Sequence, residues 1–127
     1  MPEKVDLQVQ LPRAACGPQL ARWVMRSWFA GSGADAVVAD AELLVSELVT
    51  NALVHGEGHV ILRACLDEDR LWVEVIDQRS QFKRQLWRRD GEQTGRWGLD
   101  IVKDISSRWG ANEGMTHVWF ELEQLRT

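Results

Sequence analysis

The sequence predicts an α+β fold, a two-layer α/β sandwich in which the helices lie on one face of a mostly antiparallel sheet. Two observations support this class. Segments with alternating apolar and polar residues, as in half-buried strands, occur near both ends of the chain and in its centre. Segments with apolar residues at helical spacing separate them. The predicted order is strand, helix, helix, strand, strand, loop, helix, strand, with a further short strand near 110–112 as an alternative.

One strand and one helix are predicted first. Apolar residues alternate from Val5 to Leu11, and Pro12, which has no N–H group to donate, ends this strand. A helix follows over about 14–30. The Gly-Ser-Gly segment 31–33 breaks it.

The second helix is the longest predicted element. Ser32 followed by Asp35 resembles a capping box with Asp in place of Glu, which predicts that the helix begins there. The apolar spacing continues to about Val54, and Gly56 and Gly58 end the helix.

Two strands follow directly. The segments 60–66 and 71–76 are rich in apolar residues and flank a polar turn at 67–70. They are therefore expected to form an antiparallel hairpin. Asp77 stands at the end of the second of these strands.

A third helix and a last strand are predicted near the C-terminal end. The helix opens at Gly95 to Gly98, has apolar residues at helical spacing up to Trp109, and ends at Gly110. Glycines before a helix let a ligand approach the free N–H groups of the first turn, which favour phosphate. The last strand covers 116–122.

Length and composition exclude several classes of protein. A chain of 127 residues suits one domain with one core, here 1–127. The formal charge of −4 argues against direct binding of nucleic acid, and no apolar run is long enough to span a membrane. No signal sequence is visible, and Cys16 and Cys65 lack metal or redox spacing. We therefore expect a cytoplasmic protein with both thiols reduced and partly buried.

Three polar residues recur at helical spacing near the end of the second helix. Glu47, Asn51 and His55 are each four residues apart, which places their side chains on one helix face. They can form an exposed polar edge. They can also form a site in which the carboxylate is a base and the amide oxygen is a ligand of Mg²⁺. Spacing alone leaves both interpretations open.

The segment 78–94 is a long basic stretch without apolar periodicity in an otherwise acidic chain. Loops of this length are usually functional or disordered. This one either faces an anion or is a solvated loop whose charges bind nothing specific. Its basic residues are Arg79, Lys83, Arg84, Arg88 and Arg89.

The order of these features resembles the GHKL ATP-binding fold, the Bergerat-type fold shared by gyrases, histidine kinases and MutL. The matching features are the helix segment from Glu47 to Asn51, the strand ending in Asp77, and the basic loop leading to 95–98. The small size is most similar to anti-sigma-factor serine/threonine kinases and to stand-alone ATP-binding regulators of actinobacteria. The resemblance covers nearly the whole chain, from Val5 to Leu122.

This resemblance implies ATP and Mg²⁺ as cofactors and assigns roles to the matching positions. Asn51 would coordinate Mg²⁺, and Glu47 would be the general base that takes the proton of an attacking serine hydroxyl. Asp77 would accept a hydrogen bond from the adenine amino group, and 78–94 would form the ATP lid. The other nucleotide-binding positions would be His55, Arg88, Arg89, Thr94, Gly95, Arg96, Trp97, Gly98 and Leu99.

Two functions of different classes follow from the sequence. One is an anti-sigma factor that is also a protein serine/threonine kinase, and Glu47 favours it. The alternative is a module that binds nucleotide weakly or not at all and regulates through protein contacts. The Gln-Arg-Ser segment 78–80 after Asp77, where the family usually has glycines, favours this alternative. Trp97 stands at a position where small residues are common, and its indole either blocks the phosphate region or packs over a nucleotide.

The partners that the resemblance implies are proteins rather than nucleic acid or membrane. They are a sigma factor, an anti-anti-sigma protein of the STAS type, and a second copy of the chain in a homodimer. Apolar residues of the strand 5–11, or Trp23 and Trp28 of the first helix, are alternative sources of a dimer interface.

Overall fold

The computed structural model describes residues 5–77, 99–112 and 117–123. Within these residues the chain forms five strands and three helices. The strands are β1 (Leu7–Leu11), β2 (Val60–Asp67), β3 (Arg70–Ile76), β4 (Arg108–Asn112) and β5 (His117–Glu123). The helices are α1 (Gly17–Trp28), α2 (Asp35–His55) and α3 (Leu99–Ile105). None of the described helices is long and apolar enough to cross a membrane.

The five strands form one antiparallel sheet in the order β1-β2-β3-β5-β4. The predicted hairpin is confirmed: β2 pairs with β3, and Asp67 lies opposite Arg70. Two residues, Glu68 and Asp69, therefore make the turn. β5 lies between β3 and β4, which leaves β1 and β4 at the two edges of the sheet.

The core lies between one face of the sheet and the helices, which confirms the predicted α+β sandwich. Alternate residues of β3 and β5 are buried on this face, among them Val73 and Phe120, both 0% exposed. α2 supplies the facing side chains, including Leu44 and Val49. α2 packs on the central strands, α1 packs on α2 and β1, and α3 packs on α2 and β4.

The start of α2 differs from the predicted capping box. The N-cap residue is Ala34, and no side chain caps the helix. The hydroxyl of Ser32 instead accepts a hydrogen bond from the Ala34 N–H at 3.3 Å. Gly31 and Gly33 both have positive φ, so the connection after α1 turns tightly and leaves Ser32 outside the helix.

The third helix is shorter than predicted. α3 ends at Ile105, and Trp109 and Gly110 belong to β4 rather than to the helix. The chain joins the sheet already at Ser107, whose N–H donates to the Glu121 carbonyl at 2.8 Å. Gly110 does not end the helix. Its lack of a side chain accommodates the indole of Trp119, because a Cβ there would lie 2.9 Å from the ring.

The partial burial expected of both thiols is only partly observed. Cys16 and Cys65 form no disulfide in the described part of the chain, and Cys16 is exposed while Cys65 is buried. Trp23 and Trp28 are 62% and 57% exposed on α1. The homodimer that these tryptophans were proposed to support stays a prediction.

Candidate functional site

The polar face near the end of α2 includes one buried and one half-buried side chain. Asn51 is 7% exposed, although it is polar. Glu47, one turn earlier, is half-buried. His55 is the last residue of the helix, and its side chain lies outside what the structure describes. The helical spacing predicted for these three residues is therefore present, and the amide lies deeper than the carboxylate.

The buried Asn51 side chain carries a polar atom that is unsatisfied within the described residues. Its Nδ2 makes no hydrogen bond to any part of the chain that the structure describes. A buried donor without an acceptor costs about 1–3 kcal/mol. A half-turn about the Cβ–Cγ bond exchanges the positions of the amide oxygen and nitrogen, so the amide can present its oxygen in place of its nitrogen. Asn51 therefore has the unsatisfied capacity expected of a residue that contacts a bound ligand.

Asp77, immediately after β3, is also buried, at 4% exposure. The topology brings it to the end of α2. β2 begins shortly after α2 ends, and Ile61 of β2 lies opposite Ile76 of β3. The residue after Ile76 therefore meets the connection between α2 and β2.

Gly56 forms the contact between these two parts of the site. It ends α2, and its N–H donates to the Ala52 carbonyl at 2.9 Å. A Cβ placed on Gly56 would lie 2.6 Å from Asp77 Oδ2 and 2.6 Å from the Ala52 oxygen. No side chain fits there, so the glycine lets the Asp77 carboxylate lie directly against the backbone at the helix end.

Arg13 lies beside the site, and the sequence did not predict this position. Its guanidinium donates to the carbonyls of Ala52, Leu53, Gly56 and Gly58, at the end of α2 and in the turn after it. These acceptors are backbone atoms 39 to 45 residues away in sequence. No local signal in the sequence identifies such a contact.

The remaining predicted nucleotide-binding residues lie outside the part of the chain that the structure describes. These are the lid at 78–94 with Arg88, Arg89 and Thr94, and the turn with Gly95, Arg96, Trp97 and Gly98. Leu99 is the first residue of α3, and only its backbone is described. α3 packs against α2 through the fully buried Val102, so the helix that follows the turn lies beside the helix of Asn51.

Comparison with known proteins identifies the family. Residues 36–126 match the family of histidine kinase-, DNA gyrase B-, and HSP90-like ATPases. The chain belongs to this family. The predicted GHKL resemblance is thereby confirmed, and the protein is a GHKL-type ATP-binding module. No curated protein matches the chain.

The described residues of this GHKL module fit the nucleotide that the family binds. The buried amide of Asn51, whose Nδ2 has no partner among the described residues, also carries an oxygen, the kind of ligand that Mg²⁺ prefers. The buried Asp77 carboxylate is an acceptor suited to an amino group. Both lie within the matched residues, as does Glu47.

Proposed function

We propose that this protein is an ATP-binding regulator that acts as an anti-sigma factor and as a protein serine/threonine kinase. Its substrate is a serine on an anti-anti-sigma partner of the STAS type. The observation that carries the kinase proposal is the pair on α2, the half-buried carboxylate of Glu47 and, one turn later, the buried amide of Asn51. The Nδ2 of that amide has no partner among the described residues. Metal binding alone needs only the amide, and the carboxylate adds a base.

In this proposal each of the three residues has a different role. Asn51 holds Mg²⁺, and Asp77 accepts a hydrogen bond from the adenine amino group. When bound, Mg-ATP supplies the phosphoryl group and the charge neutralisation that phosphoryl transfer requires. Glu47 would accept the proton of the substrate serine hydroxyl as the serine oxygen bonds to the γ-phosphorus of ATP. The bond between that phosphorus and the β–γ bridging oxygen would break, and ADP would leave.

The exposure of Glu47 supports the role of base toward a protein substrate. Its neighbours on α2 include Leu43 and Thr50, which are exposed. The carboxylate is thus at the boundary between the core side of the helix and the surface. A serine on a docked protein can reach that boundary, whereas Asn51 is buried, at 7% exposure.

A second candidate is a module of the same fold that regulates by protein contacts, with weak nucleotide binding or none. The Gln-Arg-Ser segment after Asp77 favours it. The exposed indoles of Trp23 and Trp28 are suited to a protein partner in either case, because tryptophan is enriched among residues that dominate binding energy.

Calorimetric titration with Mg-ATP tests nucleotide binding. We expect the wild-type protein to bind and Asn51→Ala to lose binding, because the metal ligand is removed. Thr50→Ala, an exposed position on the same helix, is the control and should bind normally. Absence of heat with the wild-type protein would contradict the proposal that the site binds ATP.

Phosphate transfer from labelled ATP to STAS-type proteins of the host tests the kinase activity. Glu47→Gln should bind Mg-ATP as the wild-type protein does and transfer no phosphate. Asp40→Asn, an exposed carboxylate earlier on α2, is the matched control and should transfer phosphate normally. If wild-type protein binds ATP and labels no partner, the second candidate is the better description.

A further inference from the structure

We infer that Arg13 is a positioning residue for the nucleotide site: it fixes the end of α2 against the Asp77 carboxylate and thereby sets the preference for adenine. The adenine part of this inference rests on the function proposed for Asp77. The mechanical part rests on contacts that do not involve nucleotide.

The guanidinium of Arg13 donates to four carbonyls at the end of α2 and in the turn after it. Nη1 donates to the Ala52 oxygen at 3.1 Å and to the Gly58 oxygen at 3.4 Å, and Nη2 donates to the Leu53 oxygen at 3.3 Å and to the Gly56 oxygen. The last carbonyls of a helix have no partner within the helix and carry its negative dipole end. A cation with several donors is suited to bind all of them together.

The connection that carries Arg13 is held close to α2. A Cβ on Gly17, at the start of α1, would lie 3.3 Å from Leu53 Cδ1 of α2 and 3.2 Å from the oxygen of Pro12, which follows β1. The Gly17 N–H also donates to the Ala14 carbonyl at 2.9 Å. The connection between β1 and α1 is therefore packed against the last turns of α2, which places the guanidinium at the helix end.

One residue links Arg13 to Asp77. The Gly56 carbonyl accepts from Arg13, and the Gly56 Cα faces the Asp77 carboxylate at a distance that admits no Cβ. The Ala52 oxygen accepts both from Arg13 and from the Gly56 N–H. If the guanidinium is removed, Gly56 loses the group that holds its carbonyl, and the surface against which Asp77 lies can shift.

Lysine cannot reproduce this arrangement. The planar guanidinium directs donors from two nitrogens to four carbonyls, while an ammonium offers its donors from a single atom. Arg13→Lys therefore retains the positive charge at the end of α2 but loses the planar arrangement of donors on two nitrogens. It separates the positioning role from simple neutralisation of the helix dipole.

The test compares Arg13→Ala and Arg13→Lys with the wild-type protein and with Arg26→Ala. Arg26 also joins α1 to α2, through Glu42 at 2.6 Å, but at a distance from the end of α2. Affinities are measured for ATP and for inosine triphosphate, which lacks the adenine amino group. Hydrogen exchange of the backbone amides in 53–58 is measured without nucleotide.

We expect Arg13→Ala to bind ATP about tenfold more weakly, which corresponds to the loss of one charge-assisted hydrogen bond. Inosine triphosphate should be affected less, so the preference for ATP falls. Arg13→Lys should lie between the wild-type protein and Arg13→Ala, and Arg26→Ala should keep the wild-type preference. Amides in 53–58 should exchange faster in both Arg13 variants and not in Arg26→Ala.

Two results overturn the inference. One is unchanged exchange of 53–58 in both Arg13 variants. The other is a parallel loss of affinity for both nucleotides, which is what a general loss of stability produces. If the wild-type protein binds neither nucleotide, the proposed function fails and the adenine part fails with it, while faster exchange at 53–58 still supports the positioning of the helix end.

Discussion

The carboxylate of Asp77 lies against the backbone of Gly56 at the point where α2 ends. This contact joins the end of the longest described helix to the end of a central strand. Gly56 has φ −94°, which any residue can adopt, so the glycine is required by the close approach and not by its conformation. The contact therefore predicts what a side chain at this position does.

Gly56→Val should destabilise the fold and weaken ATP binding. Its Cβ would be placed 2.6 Å from the Ala52 oxygen and from Asp77 Oδ2, so the helix end or the carboxylate must move. Overpacking of this kind costs about 1–3 kcal/mol, and Gly56→Ala should show a smaller effect in the same direction. Urea unfolding measures the stability, and calorimetry with Mg-ATP measures the affinity.

A double variant shows whether the contact with Asp77 causes the loss of stability in Gly56→Val. Because the carboxylate is one of the two groups in the way, Gly56→Val combined with Asp77→Ala should lose less stability than the sum of the single variants. If Gly56→Val has the same stability and the same ATP affinity as the wild-type protein, the close contact between Gly56 and Asp77 is not needed for either.

Asn51→Leu should stabilise the protein and abolish binding of Mg-ATP. Asn51 is 7% exposed, and its Nδ2 has no partner among the described residues. A buried polar group without a partner costs about 1–3 kcal/mol, and a leucine of similar size removes that cost. We expect a gain of about 1 kcal/mol in the free energy of unfolding without nucleotide, measured by urea unfolding.

Ser46→Ala is the control for this prediction, because it replaces a buried polar residue that has a hydrogen bond. Ser46 is also a buried polar residue of α2, but its hydroxyl donates to the Leu43 carbonyl at 2.9 Å. Its replacement should give no gain in stability. If Asn51→Leu is less stable than the wild-type protein, Asn51 has a structural role that outweighs its missing hydrogen bond.

The elements that could be predicted from sequence are those whose pattern is local. Two apolar segments that flank a polar turn identified the hairpin of β2 and β3, and helical spacing identified α2. The end of α3 was wrong because Trp109 continues the helical spacing from Ile105. What places Trp109 in a strand is its pairing with Phe120, and that partner is distant in sequence.

The same distinction separates the parts of the site. Glu47 and Asn51 could be predicted because their spacing within one helix is a local property. Gly56 was predicted only as the end of a helix, since its contact with Asp77 depends on the register of the sheet. Arg13 could not be predicted, because its acceptors are backbone carbonyls that carry no residue identity.

Arg63→Met should destabilise the protein through Glu74. Glu74 is 0% exposed, lies directly opposite Arg63 in the sheet, and accepts from the Arg63 guanidinium at 2.9 Å. Removing one partner of a buried ion pair costs about 3–5 kcal/mol, because the other charge stays buried. The guanidinium of Arg63 is half-buried and lies over the Trp72 ring at 5.9 Å, so we expect a loss of about 2–4 kcal/mol in urea unfolding.

The surface pair of Arg70 and Glu123 is the control for this prediction. It joins β3 to β5 at a similar distance, 3.0 Å, but both side chains are about half exposed. Arg70→Met should cost less than about 1 kcal/mol. Equal losses for the two arginine variants would contradict the importance of burial at Glu74, and Arg63→Met with Glu74→Met should recover most of the loss.

Glu68→Gly should stabilise the β2–β3 hairpin. Glu68 is the first residue of the two-residue turn and has φ 55°, the left-handed region that side chains with a Cβ disfavour by roughly 1 kcal/mol. Glycine adopts this region without that cost, although it also makes the unfolded chain more flexible. We expect a net gain of about 0.5 kcal/mol in the free energy of unfolding, seen as a higher midpoint in urea. Asp69→Gly is the matched control: Asp69 has no positive φ, so glycine there relieves no backbone strain and should lower the midpoint. A lower midpoint in Glu68→Gly as well would mean that the side chain of Glu68 contributes more to the turn than its backbone conformation costs.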